Sequence, residues 1–138
     1  MELQINDKIT VRELQMQFSA VFSYLKLEFF DIPPTFNGLP KLHMYPNNKA
    51  LGSCRKKHNE GTIEILPGMT VQKLEETLWN EFGLSTEVFR KSGNLWIETT
   101  LSDSWTLKRQ NDEGRTFSTA RNTNNGDPED PLDRALWQ

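Results

Sequence analysis

The sequence predicts an α+β fold, a two-layer sandwich with a mostly antiparallel sheet. Two helix patterns are each flanked by short strand patterns, and a hairpin signal follows the second helix. The element order is β-α-β, a long insertion, and then β-α-β-β. A ferredoxin-like arrangement fits this order best, and a β-grasp variant is the second choice.

Apolar residues at helical spacing predict helices over about 10–23 and 70–83. Thr10 and Thr70 stand where an N-cap hydroxyl can accept a hydrogen bond from a free first-turn N–H. Gly83 suits the left-handed residue that ends a helix. Both ends of the second helix are therefore marked, and the start of the first.

Alternating apolar residues predict the strands. Two of the strand patterns are joined by Lys91-Ser92-Gly93-Asn94, which is typical of a hairpin turn with Gly93 at positive φ. The predicted strands are 3–5, 25–29, 61–65, 85–90 and 95–101.

The two halves of the chain resemble each other. Residues 9–14 align with residues 69–74 at an offset of 60, and the register holds as far as Phe22 and Phe82. Glu28 also matches Glu87 when one residue is dropped. The likeness is compatible with an internal duplication or with convergence on one helix-start pattern.

The sequence predicts a single α+β domain over 1–114 and a flexible, acidic-ended tail over 115–138, where apolar residues are scarce. The connection 32–60 is rich in Pro and Gly and long for a compact domain. Within it, residues 41–45 could form an added edge strand. Residues 106–113 predict a short helix that stops at Gly114.

Charge is unevenly distributed along the 138 residues, whose net charge is −3. The stretch between Asp31 and Glu60 contains no acid, so its lysines and arginines could attract phosphates. Nucleic acid or another polyanion is therefore one candidate ligand, although a solvated loop explains the same residues. The candidate anion-binding residues are Arg55, Lys56, Lys57, His58, Arg90 and Lys91.

Trp96 is the main candidate for a protein contact. Trp96 and Glu98 share one face of their strand, while Leu95 and Ile97 suit the helix-covered face. A Trp on an open sheet face suggests an interface, although core packing is the commoner role of Trp. A second candidate is a C-terminal docking turn whose apolar residues are Leu132, Leu136 and Trp137.

No catalytic or metal-binding motif is present, so no catalytic residue, metal or cofactor is predicted. Cys54 and His58 have the spacing C-x₃-H, but a zinc site needs four ligands and usually paired cysteines. Neighbouring cations could make Cys54 a reactive thiol. A single cysteine, no signal sequence and no apolar run of membrane-spanning length favour a cytoplasmic protein without membrane contact.

A longer pattern runs through the second half of the chain. Its parts are FGL at 82–84, VFRKSGNLW at 88–96, TT at 99–100, Asp103, WTL at 105–107 and QN at 110–111. The pattern resembles a group of small bacterial proteins of the Bacteroides type, over about 60–114 and more loosely over the first half. The resemblance implies a free-standing small protein and no particular activity.

We therefore expect a small non-enzymatic binding or adaptor module. Its contacts would use the open sheet face and the C-terminal peptide. The alternative is binding of nucleic acid or a phosphorylated ligand through the basic connection. These two hypotheses differ in salt response, because counterion release weakens only the second steeply.

Overall fold

A computed structural model of the chain describes residues 1–34 and 43–124, with side chains described as far as residue 119. The predicted α+β class is confirmed. Two short 3₁₀ turns, Leu51–Ser53 and Thr100–Ser102, accompany the main elements. The elements are β1 (Glu2–Ile5), α1 (Val11–Val21), β2 (Leu25–Phe30), β3 (Gly61–Glu64), α2 (Val71–Phe82), β4 (Ser85–Ser92), β5 (Leu95–Glu98) and α3 (Leu107–Asn124).

All strand pairs are antiparallel, as predicted, but they form two sheets. One sheet pairs β1 with β3, and the other has the order β2-β4-β5. A ferredoxin-like fold places its four strands in one sheet, so that arrangement is not confirmed. Gly93 turns the β4–β5 hairpin with a φ of 66°.

Local hydrogen bonds explain where the helices begin and end. The Glu13 N–H donates to Thr10 Oγ1 (3.1 Å) and the Thr10 N–H to Glu13 Oε1 (2.9 Å), which completes a capping box. Thr70 Oγ1 accepts from the Lys73 N–H in α2. The helix α2 ends at Gly83, whose φ is 67°. Both predicted helices are confirmed to within two residues at each end.

The strand register relates the two halves of the chain by an approximate two-fold axis. Leu3 lies opposite Ile63 in the first sheet, and Glu28 lies opposite Glu87 in the second. In both cases a residue faces its own counterpart in the sequence alignment of the halves. Such self-pairing of equivalent positions is what a two-fold axis between two antiparallel copies produces.

The same relation extends to the loops that dock on the helix starts. The Val11 N–H donates to the Lys49 carbonyl (2.9 Å), and the equivalent Val71 N–H donates to the Trp105 carbonyl (3.1 Å). Each helix start is thus covered by a turn from later in its own half. Convergence on a helix-start motif does not explain these long-range matches, so the structure supports a repeated unit.

The chain after β2 adds a short edge to the larger sheet. Met44 bridges to Phe30, and the Tyr45 N–H donates to the Phe29 carbonyl (2.8 Å). At the described residues of the edge strand predicted over 41–45, which are 43–45, the structure has this isolated bridge and not a regular strand. The remainder of that prediction lies outside the described residues.

The third helix corrects two predictions, because α3 continues through Gly114 to Asn124. Gly114 packs on the first half of the molecule, where an added Cβ would lie 2.7 Å from Tyr24 Cβ. Asn111 Oδ1 also accepts from the Tyr24 N–H (2.8 Å). Gly114 is therefore a close-packing residue and not a helix stop. Residues 115–119, predicted as the start of the tail, belong instead to α3, and 125–138 lie outside the described residues.

The core lies between the helices and one face of each sheet. Leu25, Leu27 and Phe29 of β2 are fully buried in it. The alternate residues of β2 point to the opposite side of the larger sheet. The largest fully buried side chains are Phe18, Phe29, Leu3, Ile5, Leu14, Leu25, Leu27, Leu51, Ile65, Leu74 and Leu78.

Candidate functional site

The open face is the side of the β2-β4-β5 sheet that points away from the main core. Its members follow from the strand register, because side chains of cross-strand partners share a face. Phe89 and Trp96 lie towards one end of this face, and Phe30 and Ser85 lie at the other. Glu28 and Glu87 lie between them. The open face consists of Lys26, Glu28, Phe30, Ser85, Glu87, Phe89, Lys91, Trp96 and Glu98.

Trp96 lies on the open face together with Glu98, as the sequence predicts, but Leu95, predicted for the helix-covered face, is 68% exposed because β5 is the edge strand of its sheet. The partly buried ring of Trp96 packs against a small apolar cluster, separate from the main core, whose buried members are Phe30 and Phe89. Lys26 Nζ lies 4.9 Å from the centroid of the Trp96 ring, close enough for a cation–π contact. The result is a rigid aromatic platform with one edge open to solvent.

Two glutamates face each other in the middle of the open face. Glu28 accepts from Gln15 Nε2 (3.1 Å) and pairs with Lys26 Nζ (2.9 Å), whereas Glu87, among the described residues, accepts from Thr100 Oγ1 (2.9 Å) and from the backbone of Thr99. Burial raises the pKa of Glu87 to about 7. Unlike Glu28, Glu87 therefore has no cation beside it to stabilise its charge.

Glu75 of α2 is a second carboxyl group with a raised pKa. Burial, followed by the charge of Glu87, raises the pKa of Glu75 to about 8, although its Oε2 accepts from the Val88 N–H (3.0 Å). Sequence reasoning missed this acid pair. The sequence did contain a signal for it, because the equivalent position of the first half is occupied by the neutral residue Gln15 and not by an acid.

The basic cluster of the connection has mainly structural partners. The Arg55 side chain is buried, and its Nη2 and Nε donate to Asp7 Oδ1 (2.8 and 3.1 Å). His58 Nδ1 lies 2.8 Å from Asp7 Oδ2. These two contacts, that of His58 first, hold the pKa of Asp7 below its usual value. Arg55 and His58 are thus already engaged by an internal acid.

The same segment also caps the C-terminus of α2. Arg55 Nη1 donates to the Phe82 carbonyl (3.1 Å), Lys57 Nζ to the Asn80 carbonyl (2.7 Å), and Asn59 Nδ2 to the Glu81 carbonyl (3.0 Å). Cations are favourable there because the helix dipole is negative at its C-terminus. Lys56 is exposed and has no ion pair among the described residues.

Arg90 and Lys91 lie away from this cluster. They are near the far end of β4, and Lys91 is about 20 Å along the strand from Ser85, at which β4 begins, at about 3.3 Å per residue. Arg90 Nη1 donates to Gln110 Oε1 (2.9 Å), and its guanidinium lies 5.8 Å from the ring centroids of both Trp105 and Phe117. The six anion-binding candidates therefore do not form one patch.

A cleft of about 640 Å³ opens at one end of the open face. It lies between the chain that follows β2, residues 53–57 and the C-terminal end of α2. Its aromatic lining residues are Phe30, Tyr45 and Trp79, and the buried Ser85 also lines it. Sequence reasoning missed the cleft, because its walls come from segments far apart in the chain.

Cys54 also lines the cleft, and its thiol is not activated. The sequence suggested that neighbouring cations would lower the pKa of Cys54, but burial raises it. The Cys54 Sγ donates to the Ala50 carbonyl (3.5 Å). No group of three or more potential metal ligands occurs among the residues described.

Leu132, Leu136 and Trp137, the predicted docking turn, lie outside the described residues. Within residues 1–34 and 43–124, no helix is both long enough and apolar enough to cross a membrane. The chain matches no protein-family model, no curated protein and no solved structure.

Proposed function

We propose that the protein is a non-enzymatic binding module that contacts a partner protein through the open face, centred on Trp96. The observation that carries this proposal is the apolar cluster of Trp96, Phe30 and Phe89, which lies outside the main core. A tryptophan supported from beneath by buried aromatic rings has the character of an interface hot spot. We place the module in the cytoplasm, on the strength of its buried free thiol, Cys54.

The charges around Trp96 favour a particular kind of partner. Lys26 lies over the Trp96 ring, and the acids Glu28, Glu87 and Glu98 follow on the same face. This arrangement favours a partner that brings an apolar side chain to Trp96 and a polar group to Glu98, because Glu28 and Glu87 are buried. Binding of this kind depends only weakly on salt, because few counterions are released.

The first test is site-specific photo-crosslinking in the native cells. A benzophenone amino acid replaces Trp96 in one variant and Met16, an exposed residue of α1, in the control. We expect a protein adduct from position 96 and none from position 16. Equal adducts from both positions, or none from position 96, would contradict the proposal.

The second test is the affinity of the identified partner. We expect Trp96→Ala to weaken binding at least about tenfold, the range of a hot-spot residue, and Met16→Ala to leave it unchanged. Deletion of 125–138, in parallel, tests the C-terminal docking turn without cutting α3. Loss of affinity on that deletion alone would move the contact from the open face to the C-terminal peptide.

Anion binding through the connection is the second candidate, and Lys56 is the residue that favours it. Arg55, Lys57 and His58 have internal partners, so few cations are left for a phosphate chain. Titration with a single-stranded oligonucleotide between about 50 and 200 mM salt tests this candidate. A steep fall in affinity that Lys56→Gln abolishes would favour anion binding over the protein contact.

A further inference from the structure

Ser85, which lines the cleft, carries a hydroxyl group without a hydrogen-bond partner among the described residues. The residue is 3% exposed. Its cross-strand neighbour is Phe30, which is also buried, so the hydroxyl lies beside an aromatic surface. An unsatisfied buried hydroxyl is destabilising, so its presence here calls for an explanation, and a bound ligand would supply one.

The aromatic and cationic residues of the cleft suit other parts of a ligand than the part that would contact Ser85. Tyr45 and Trp79 add aromatic surface, and Trp79 is 39% exposed at the end of α2. Three of the charged side chains that line the cleft are cations, Arg55, Lys56 and Lys57, and one is an acid, Asp31. His43 Nδ1 lies 3.0 Å from Asp31 Oδ1, so that acid has a partner of its own.

These observations set the chemistry of an occupant. The volume of about 640 Å³ lies in the range of small-molecule sites. The aromatic walls suit a planar ring, the Ser85 hydroxyl suits a hydrogen-bond acceptor on that ring, and Lys56 suits an anionic group at the mouth. We propose that the cleft is a binding site for a small aromatic anion, a planar ring that carries one carboxylate or phosphate group.

The site is independent of the protein contact centred on Trp96. The cleft shares Phe30 and Ser85 with the open face, but Trp96 does not line it, and Lys56 and Trp79 lie outside the open face. Either proposal can therefore fail without the other.

The test is a titration of the full chain followed by NMR shifts and by Trp fluorescence. The probes are phenyl phosphate and indole-3-acetate, which separate a phosphate from a carboxylate ligand. Indole and inorganic phosphate are the controls, each with only half of the proposed chemistry. We expect shifts at Ser85, Trp79 and Lys56 with one of the probes, and affinities at least about tenfold weaker for both controls.

Matched variants locate the binding. Ser85→Ala and Lys56→Gln should each weaken the binding of the probe about tenfold, and Lys73→Gln, at the other end of α2, should not change it. Ser85→Ala should also unfold at the same denaturant concentration as the wild type or a higher one, because the hydroxyl has no internal partner to lose.

Two results would overturn the proposal. The first is the absence of cleft shifts with both aromatic anions, or binding that neither variant weakens. The second is a loss of fold stability in Ser85→Ala, which would show that the hydroxyl is satisfied within the protein.

Discussion

Glu75 makes the stability of the fold depend on pH. Its pKa is raised from 4.5 to about 8, first by burial and then by the charge of Glu87. The folded state therefore holds a proton that the unfolded state loses above about pH 4.5. The stability that neutral Glu75 contributes is fully present below that pH and is lost as the pH rises towards 8.

The variant Glu75→Gln isolates this effect. The Gln amide oxygen can still accept from the Val88 N–H, and Gln15 already occupies the equivalent position of the first half. We expect the variant to match the wild type at pH 5 and to be more stable at pH 8.5, by about 1–3 kcal/mol. Urea unfolding at both pH values measures this difference. The exposed Glu76→Gln is the control, and equal pH profiles for Glu75→Gln and the wild type would refute the assignment.

Among the elements, α1 and α2 could be predicted from the sequence, and α3 could not be predicted in full. Capping is local, so Thr10 and Thr70 identify the helix starts from residues within one turn. The residues around Gly114 predict that the helix stops there, but the role of Gly114 depends on its contact with Tyr24, which lies far earlier in the chain. Non-local packing thus decided the length of α3.

A substitution at Gly114 tests its close packing. In Gly114→Ala the new Cβ would lie 2.7 Å from Tyr24 Cβ and 3.2 Å from the Tyr24 carbonyl oxygen, so α3 has to move. We expect a loss of about 1–3 kcal/mol, although Ala favours a helix. Gly68→Ala is the control, because a Cβ there meets nothing within 4 Å. If denaturant unfolding gives the same stability for both variants, α3 does not depend on this contact.

The candidate site shows the same limit of local reasoning. The sequence places Arg55, Lys57 and His58 in one cationic stretch, which suggests a ligand. The groups that satisfy Arg55 are Asp7 and the Phe82 carbonyl, 48 and 27 residues away. The side of the sheet on which Trp96 lies could be predicted, because side chains alternate between the two faces along any strand. The cleft could not, because separate segments form it.

At the scale of the whole molecule, each half of the chain makes contacts that stabilise the other half. Segment 55–59 of the first half caps α2 of the second, and α3 of the second half packs on Tyr24 of the first. Both sheets are paired across the halves as well. Extensive interactions therefore join the halves, and the main core contains residues of both.

This arrangement predicts cooperative unfolding. We expect far-UV circular dichroism and Trp fluorescence to give superimposable urea curves, because α1 and α2 cannot unfold separately. Trp79 and Trp105 report on the second half, and the dichroism reports on both. Curves with separate midpoints would show that the halves are independent units.

The reciprocal arrangement of the halves has a consequence for association. Two chains that exchange one half at the connection near residue 60 would keep every contact between the halves, since each half would meet an identical partner. Exchange would cost only the entropy of association and any strain in the connecting residues. Refolding at high protein concentration should therefore yield intertwined dimers that have the same local structure as the single chain.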